Sequence, residues 1–175
     1  MSTTKSVTKW WWGWEPEKIE DWLEQMEAEG WHLYNATGIG IRFHFVKQEP
    51  RRVRYCADYQ SSIGPEYKEI FQDAGWELIY SSIGWYIWRM EYKGERPYIY
   101  TDIDSMLEMN KRLITLLGIV AVIEGFAITT MWATYENKSN ISPIIAMYAI
   151  IFSFIGYCMY KLVANSNRLK AKKKL

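Results

Sequence analysis

The chain has 175 residues, 23% of them charged with a formal net charge of +1, and 17% aromatic. Two cysteines exclude a disulfide-stapled scaffold, and the near-neutral balance excludes the strongly basic surface of a nucleic-acid binder. The average hides two unlike parts: residues 1–112 carry 14 Lys/Arg against 18 Asp/Glu, and residues 113–175 carry 7 against 2.

At the start, Lys5 and Lys9 are followed by only a five-residue Trp/Gly run before Glu15, too short for the apolar region of a secretory signal. Read as a strand, Lys9–Trp14 puts Trp10, Trp12 and Trp14 on one face and Trp11 on the other. One face then suits a sheet core and the other a membrane-interface contact, or an aromatic groove for a peptide or amphiphile. A helix follows from Pro16, with Ile19, Trp22, Leu23 and Met26 at i, i+3, i+4 and i+7, and Gly30 suits its left-handed C-terminal position. Ile41, Phe43 and Phe45 alternate with Arg42, His44 and Val46 as in a strand, and Gly38-Ile-Gly40 supplies the turn before it.

The pattern then recurs at an offset of 45: Trp10 aligns with Tyr55, Trp22 with Tyr67, Met26 with Phe71, and Gly30-Trp31 with Gly75-Trp76. A second helix from about Pro65 to Ala74 and a turn at Ile83-Gly84 complete the copy. Residues 1–100 therefore read as a domain of two βαββ repeats, about 5–50 and 51–95. The expected class is α+β: an antiparallel sheet of about six strands with two helices on one face, followed by a two-helix transmembrane hairpin. Glu15, Glu17, Glu20, Asp21, Glu24, Glu27 and Glu29 crowd the first helix, and Lys47, Arg51, Arg52 and Arg54 cluster later. Such charge runs are expected as solvated faces, with a partner surface as the alternative.

Residues 101–112 read as a linker helix, with Thr101 or Asp102 as cap and Ser105 to Glu108 as a capping box, running on into an apolar stretch. Two apolar runs follow, 113–132 and 141–163, separated by the polar loop 133–140. At about 1.5 Å rise per residue each is long enough to cross a hydrocarbon core of about 30 Å. Lys111 and Arg112 precede the first; Arg168, Lys170, Lys172, Lys173 and Lys174 follow the second in the basic tail 164–175. This places both termini in the cytoplasm and the tail against anionic head groups. The sequons at Asn137 and Asn140 then read as chance matches.

Gly118, Ala121 and Gly125 form a small-residue stripe on the first span and Ala149 and Gly156 one on the second, the pattern by which helices approach closely in lipid. Glu124 sits near the middle of the first span, where a lone carboxylate costs about 3 kcal/mol on insertion scales. Antiparallel register brings Ser153 to its depth and Tyr157 about a turn deeper, so a hydroxyl contact to Glu124 is expected. A packing role, with neutral Glu124 bonded to the second helix or its own backbone, is the first reading of Glu124, and a proton relay or substrate contact is the alternative. Ser142-Pro143 reads as the start of the second span.

Cys56 and Cys158 lack metal-ligand spacing, His32 and His44 are isolated, and Asp102/Asp104 suit a helix start better than a cation. No Walker A, GxGxxG, GxSxG or HExxH pattern occurs, so neither cofactor, metal nor enzymatic activity is expected. The stretch 17–31 (EKIEDWLEQMEAEGW), the glycine-turn hairpin and Tyr100-Thr-Asp-Ile-Asp-Ser105 resemble the domain of unknown function 2812 family, small bacterial membrane proteins, over about residues 7–112. The resemblance brings no catalytic residues. Members are often encoded beside PadR-type regulators, which implies an inducible envelope or antimicrobial-stress response. The expectation is a membrane-anchored, non-enzymatic binding or regulatory module that does not bind nucleic acid. The alternative is an accessory or self-associating subunit, a homo-oligomer or partner of a membrane transporter or resistance complex.

Overall fold

In the computed structural model, residues 3–61, 63–97, 103–134 and 138–173 are described. They fall into two units, divided between Asp102 and Ile103. The first runs β1 (Thr4–Thr8), α1 (Pro16–Ala28), β2 (Trp31–Thr37), β3 (Arg42–Lys47), β4 (Val53–Tyr59), α2 (Pro65–Asp73), β5 (Glu77–Ser82) and β6 (Trp85–Glu91). The order βαββ thus occurs twice, and so does the strand placement: β1-β3-β2 in one sheet and β4-β6-β5 in the other, all antiparallel. Both second strands shift register at matching places, between Leu33 and Asn35 and between Leu78 and Tyr80.

The class is α+β as expected, but the six strands are divided between two sheets. The physical reason lies at the outer edges. Leu33 on β2 gives its N–H to Glu27 Oε1 at 3.0 Å and its carbonyl to Arg89 Nη1 at 2.8 Å, so side chains hold the groups a further strand would need. On β4, Tyr55 and Ala57 donate their N–H groups to Glu24 (3.2 Å) and Glu20 (3.0 Å) of α1. An edge sealed this way cannot recruit another strand.

One core joins α1 to both sheets: Ile19, Leu23 and Met26 pack with Leu33, Phe43, Phe45, Tyr55, Ala57 and Ile87. Trp22 turns edge-on to Phe43 and Phe45. A second cluster sets Tyr67 and Phe71 of α2 against Cys56, Trp76 and Trp88, with Phe71 stacked on Trp88 at 4.5 Å. Tyr55 and Cys56 are neighbours on one strand and so face opposite ways. The two helices therefore cover opposite faces of the second sheet, not one face as the pattern predicts.

Both helices open with proline in the first turn and close at a left-handed glycine, Gly30 (φ 78°) and Gly75 (φ 84°). At Gly30 a Cβ would lie 2.4 Å from the carbonyl oxygen of Gln48, an overlap added to the unfavourable φ. Gly30→Ala is expected to destabilise the first unit by about 2 kcal/mol or more, read as a lowered thermal midpoint in near-UV circular dichroism.

In the second unit α3 (Ile103–Thr134) and α4 (Lys138–Lys173) run antiparallel, Asp104 pairing with Lys173 and Asn110 Nδ2 donating to Ser166 Oγ at 3.1 Å. α3 is one helix of 32 residues, so the expected linker and first span are continuous. It begins before Ser105, which therefore lies inside the helix and is not its cap; Thr101 and Asp102 lie outside the described residues. α4 begins at Lys138, ahead of the expected Ser142-Pro143 start, and takes Pro143 into its second turn. It also continues through the basic tail to Lys173.

Candidate functional site

The most highly built site is the acidic stripe of α1. Glu20, Glu24 and Glu27 recur at i, i+4 and i+7, one position after the apolar stripe Ile19, Leu23 and Met26, and so lie about 100° round the helix. Glu27 is wholly buried. Its carboxylate receives Arg51 Nε at 2.7 Å, Tyr55 Oη at 2.7 Å and the Leu33 N–H, with Arg89 Nη1 at 3.5 Å. His32 Nε2 lies 3.8 Å away and contacts the Glu49 carbonyl at 2.7 Å.

Arg54 bridges the other two acids, pairing with Glu24 and lying 3.2 Å from Glu20. Arg96 reaches Glu24 at 2.8 Å and Asp21 at 3.2 Å. Glu20, Glu24 and Glu27 of the acidic run thus pair within the fold with Arg51 and Arg54 of the basic cluster, while Asp21, Glu29 and Arg52 are exposed as expected. Lys47 stands apart from this network, donating to the Glu29 carbonyl.

The environments of the buried carboxylates differ. Burial pushes Glu20 up to about 7, against the Ala57 N–H and Arg54, with Glu24 and Glu17 adding repulsion. At Glu27 burial works in the same direction, but bonds from Arg51, Tyr55 and the Leu33 N–H outweigh it and hold the acid below the usual carboxylate range. Burial beside Glu27 also raises Tyr55 well above the ordinary phenol, so it stays a donor. Burial pushes the Cys56 thiol up as well, with Glu20 and Asp58 adding to it. The arrangement fastens α1 to β4 and includes one acid that titrates near neutrality.

The tryptophan run is not a strand: β1 ends at Thr8, and Lys9–Trp12 runs irregularly into a turn at Gly13–Trp14. Thr4–Thr8 already pairs along the length of Arg42–Val46, so no partner strand extends past it. Trp10, Trp12 and Trp14 nonetheless form a ladder, Trp10 edge-on to Trp12 at 5.3 Å and Trp12 stacked on Trp14 at 4.6 Å. Trp14 is buried, while Trp10 and Trp12 are exposed. Trp11 takes a separate, half-buried place against the core, its Nε1 donating to the Gly40 carbonyl at 2.8 Å and its ring edge-on to Trp85.

In the second unit Glu124 lies on the partly covered side of α3 with Gly118, Ala121 and Gly125. Its Oε2 is buried and has no hydrogen-bond partner among the described residues. Ser153 does not supply one: its hydroxyl donates to the Ala149 carbonyl one turn back in its own helix. Tyr157 is half exposed, with Lys161 Nζ over its ring. Ala149 and Gly156 lie on the exposed face of α4, while Ile155, Cys158, Leu162 and Leu169 make its buried seam. A Cβ at Gly118, Gly125 or Gly156 would meet open space, so large apolar side chains hold the hairpin instead of close backbone approach.

Asn110 is fully buried against α4. Of the tail, Arg168, Lys170 and Lys173 are exposed. The side chain of Lys172, all of Lys174 and the sequon residue Asn137 lie outside the described residues. Both helices are long and apolar enough to cross a membrane.

No curated protein and no solved structure matches the chain. A family model described as a protein of unknown function (DUF2812) matches residues 15–122. The match takes in the whole acidic stripe and its arginines, and leaves out Trp10–Trp14 at one end and Glu124 at the other. The chain belongs to the DUF2812 family of proteins of unknown function.

Proposed function

We propose that this protein is a membrane-anchored, non-enzymatic binding or regulatory module. In this reading α3 and α4 cross the bilayer, both termini face the cytoplasm, and the basic tail meets anionic head groups. The first unit engages a partner at the membrane surface, in the inducible envelope response that the family resemblance implies. One observation carries the reading: the apolar stretches of α3 and α4 are almost entirely uncovered by protein, an arrangement that water penalises and hydrocarbon accommodates. In the first unit the buried charges are engaged in holding α1 to β4, which leaves the exposed Trp10 and Trp12 as the surface for an amphiphilic ligand.

A second reading, an accessory or self-associating membrane subunit, is favoured by the exposed small-residue face of α4 that includes Ala149 and Gly156. Photo-cross-linking of the full chain in native membranes separates the two. A photoreactive residue at Trp12 that captures a partner, with none captured from Gly156, supports the binding module. Capture from Gly156 alone assigns the protein to a membrane complex.

A further inference from the structure

Two isoleucines share an anomaly. Ile39 (φ 58°) lies in the β2–β3 turn and Ile83 (φ 50°) in the β5–β6 turn, both in the left-handed region where glycine or asparagine is the ordinary occupant. Both project into solvent, 63% and 74% exposed. A β-branched residue held against its own backbone preference, and burying little within the chain, points to a contact outside it.

The two turns meet at one end of the first unit. Trp11 donates to the Gly40 carbonyl of one turn and packs at 4.7 Å on Trp85 beside the other. The Lys9 N–H donates to the Ile41 carbonyl at 2.8 Å, bringing the tryptophan run against the first turn. Trp10 and Trp12, on either side of Trp11, are 58% and 36% exposed. Lys9, just before Trp10, is exposed with its Nζ 5.5 Å from the centroid of the Trp22 ring, and the exposed Arg42 lies opposite Thr8.

From this geometry we infer that this end of the first unit is a bilayer-contacting surface. Ile39 and Ile83 enter the boundary between head groups and acyl chains, Trp10 and Trp12 lie at head-group level, and Arg42 meets anionic lipid. The inference rests on the anchored reading, because a unit tethered by α3 and α4 meets the bilayer without the entropic cost of association from solution. The chemistry favours lipid over a protein partner. The four apolar side chains offer no polar group beyond the indole N–H, whereas a protein interface carries roughly one hydrogen bond per 100–200 Å². Isolated apolar tips, Trp and flanking cations are what an interfacial lipid contact uses.

The test uses the full chain reconstituted in phosphatidylcholine–phosphatidylglycerol vesicles. An environment-sensitive dye is placed separately at Ile39→Cys, Ile83→Cys and, as control, Ile70→Cys, which is 64% exposed on α2. Flotation with the vesicles is scored first, then quenching by spin-labelled lipid on the floated protein. The expected result is quenching at positions 39 and 83 stronger than at 70 by about twofold or more. Ile39→Asn combined with Ile83→Asn suits the left-handed turns, so it should keep the fold and lower the lipid quenching of a dye at Trp10→Cys. Equal quenching at all three sites on floated protein overturns the inference and leaves the anchor intact. Failure to float overturns the anchored reading itself. Dye positions shielded by contact between copies, with no lipid quenching, assign the face to protein and also overturn the inference.

Discussion

Glu27→Ala is expected to destabilise the first unit by about 3–5 kcal/mol, the range for removing one partner from a buried ion pair. The loss is large because the substitution leaves three groups behind. Arg51 loses its 2.7 Å partner, Tyr55 Oη the carboxylate it donates to, and the Leu33 N–H the acceptor that closes the free edge of β2. Glu29→Ala, two residues on, removes an exposed carboxylate that receives Gln25, and should leave the unfolding midpoint unmoved. Urea unfolding of the full chain in detergent, followed by near-UV circular dichroism, checks both. A Glu27→Ala midpoint equal to that of Glu29→Ala would mean that the acidic stripe does not hold the halves of the unit together.

The second large effect is on pH dependence. Glu20 is raised from 4.5 to about 7 in the folded chain, so between those values the folded state holds a proton that the unfolded state has lost. Stability from this group is complete below about pH 4.5 and falls as pH rises through 7. The slope is about 1.4 kcal/mol per pH unit, and the total is on the order of 3 kcal/mol. Glu27 has the opposite sign: its depressed value gives stability above the unfolded carboxylate range that is lost on acidification. The two groups therefore bound opposite limbs, and between the unfolded carboxylate range and about pH 7 Glu20 drives stability down as pH rises. Glu20→Gln keeps an acceptor for the Ala57 N–H and should flatten the decline above pH 5 while leaving the acid limb in place. An unchanged alkaline limb in thermal scans of Glu20→Gln would exclude Glu20 as its source.

The helices of the first unit were legible because their signals are local. Pro16 and Pro65 open them, Gly30 and Gly75 close them, and the stripe from Ile19 repeats at the helical period. The buried network was not legible for the opposite reason. Glu20, Glu24 and Glu27 keep the same period as their apolar neighbours, a detectable pattern, but a carboxylate on a helix is ordinarily a solvent-facing residue. The arginines that pair with them lie 24 to 72 residues away in the chain.

Alternation misled at the tryptophans. Trp10, Trp12 and Trp14 have strand spacing, yet the less conspicuous Thr4–Thr8 takes the place beside β3, and pairing partners are not written in a strand's own sequence. In the hairpin, small residues did not mark the seam: a Cβ at Gly118, Gly125 or Gly156 meets open space, and α4 packs through Ile155, Cys158, Leu162 and Leu169. Four such residues at helical spacing look the same whether they face another helix or lipid.

The orientation of the hairpin is the claim on which the proposed role depends, and cysteine labelling in intact cells tests it most directly. A membrane-impermeant maleimide should modify Ser139→Cys, at the start of α4, in intact cells. It should modify Thr3→Cys, ahead of β1, only after the membrane is opened. Labelling of Thr3→Cys in intact cells, or release of the chain from membranes by alkaline carbonate, would contradict a cytoplasmic domain anchored by two spans.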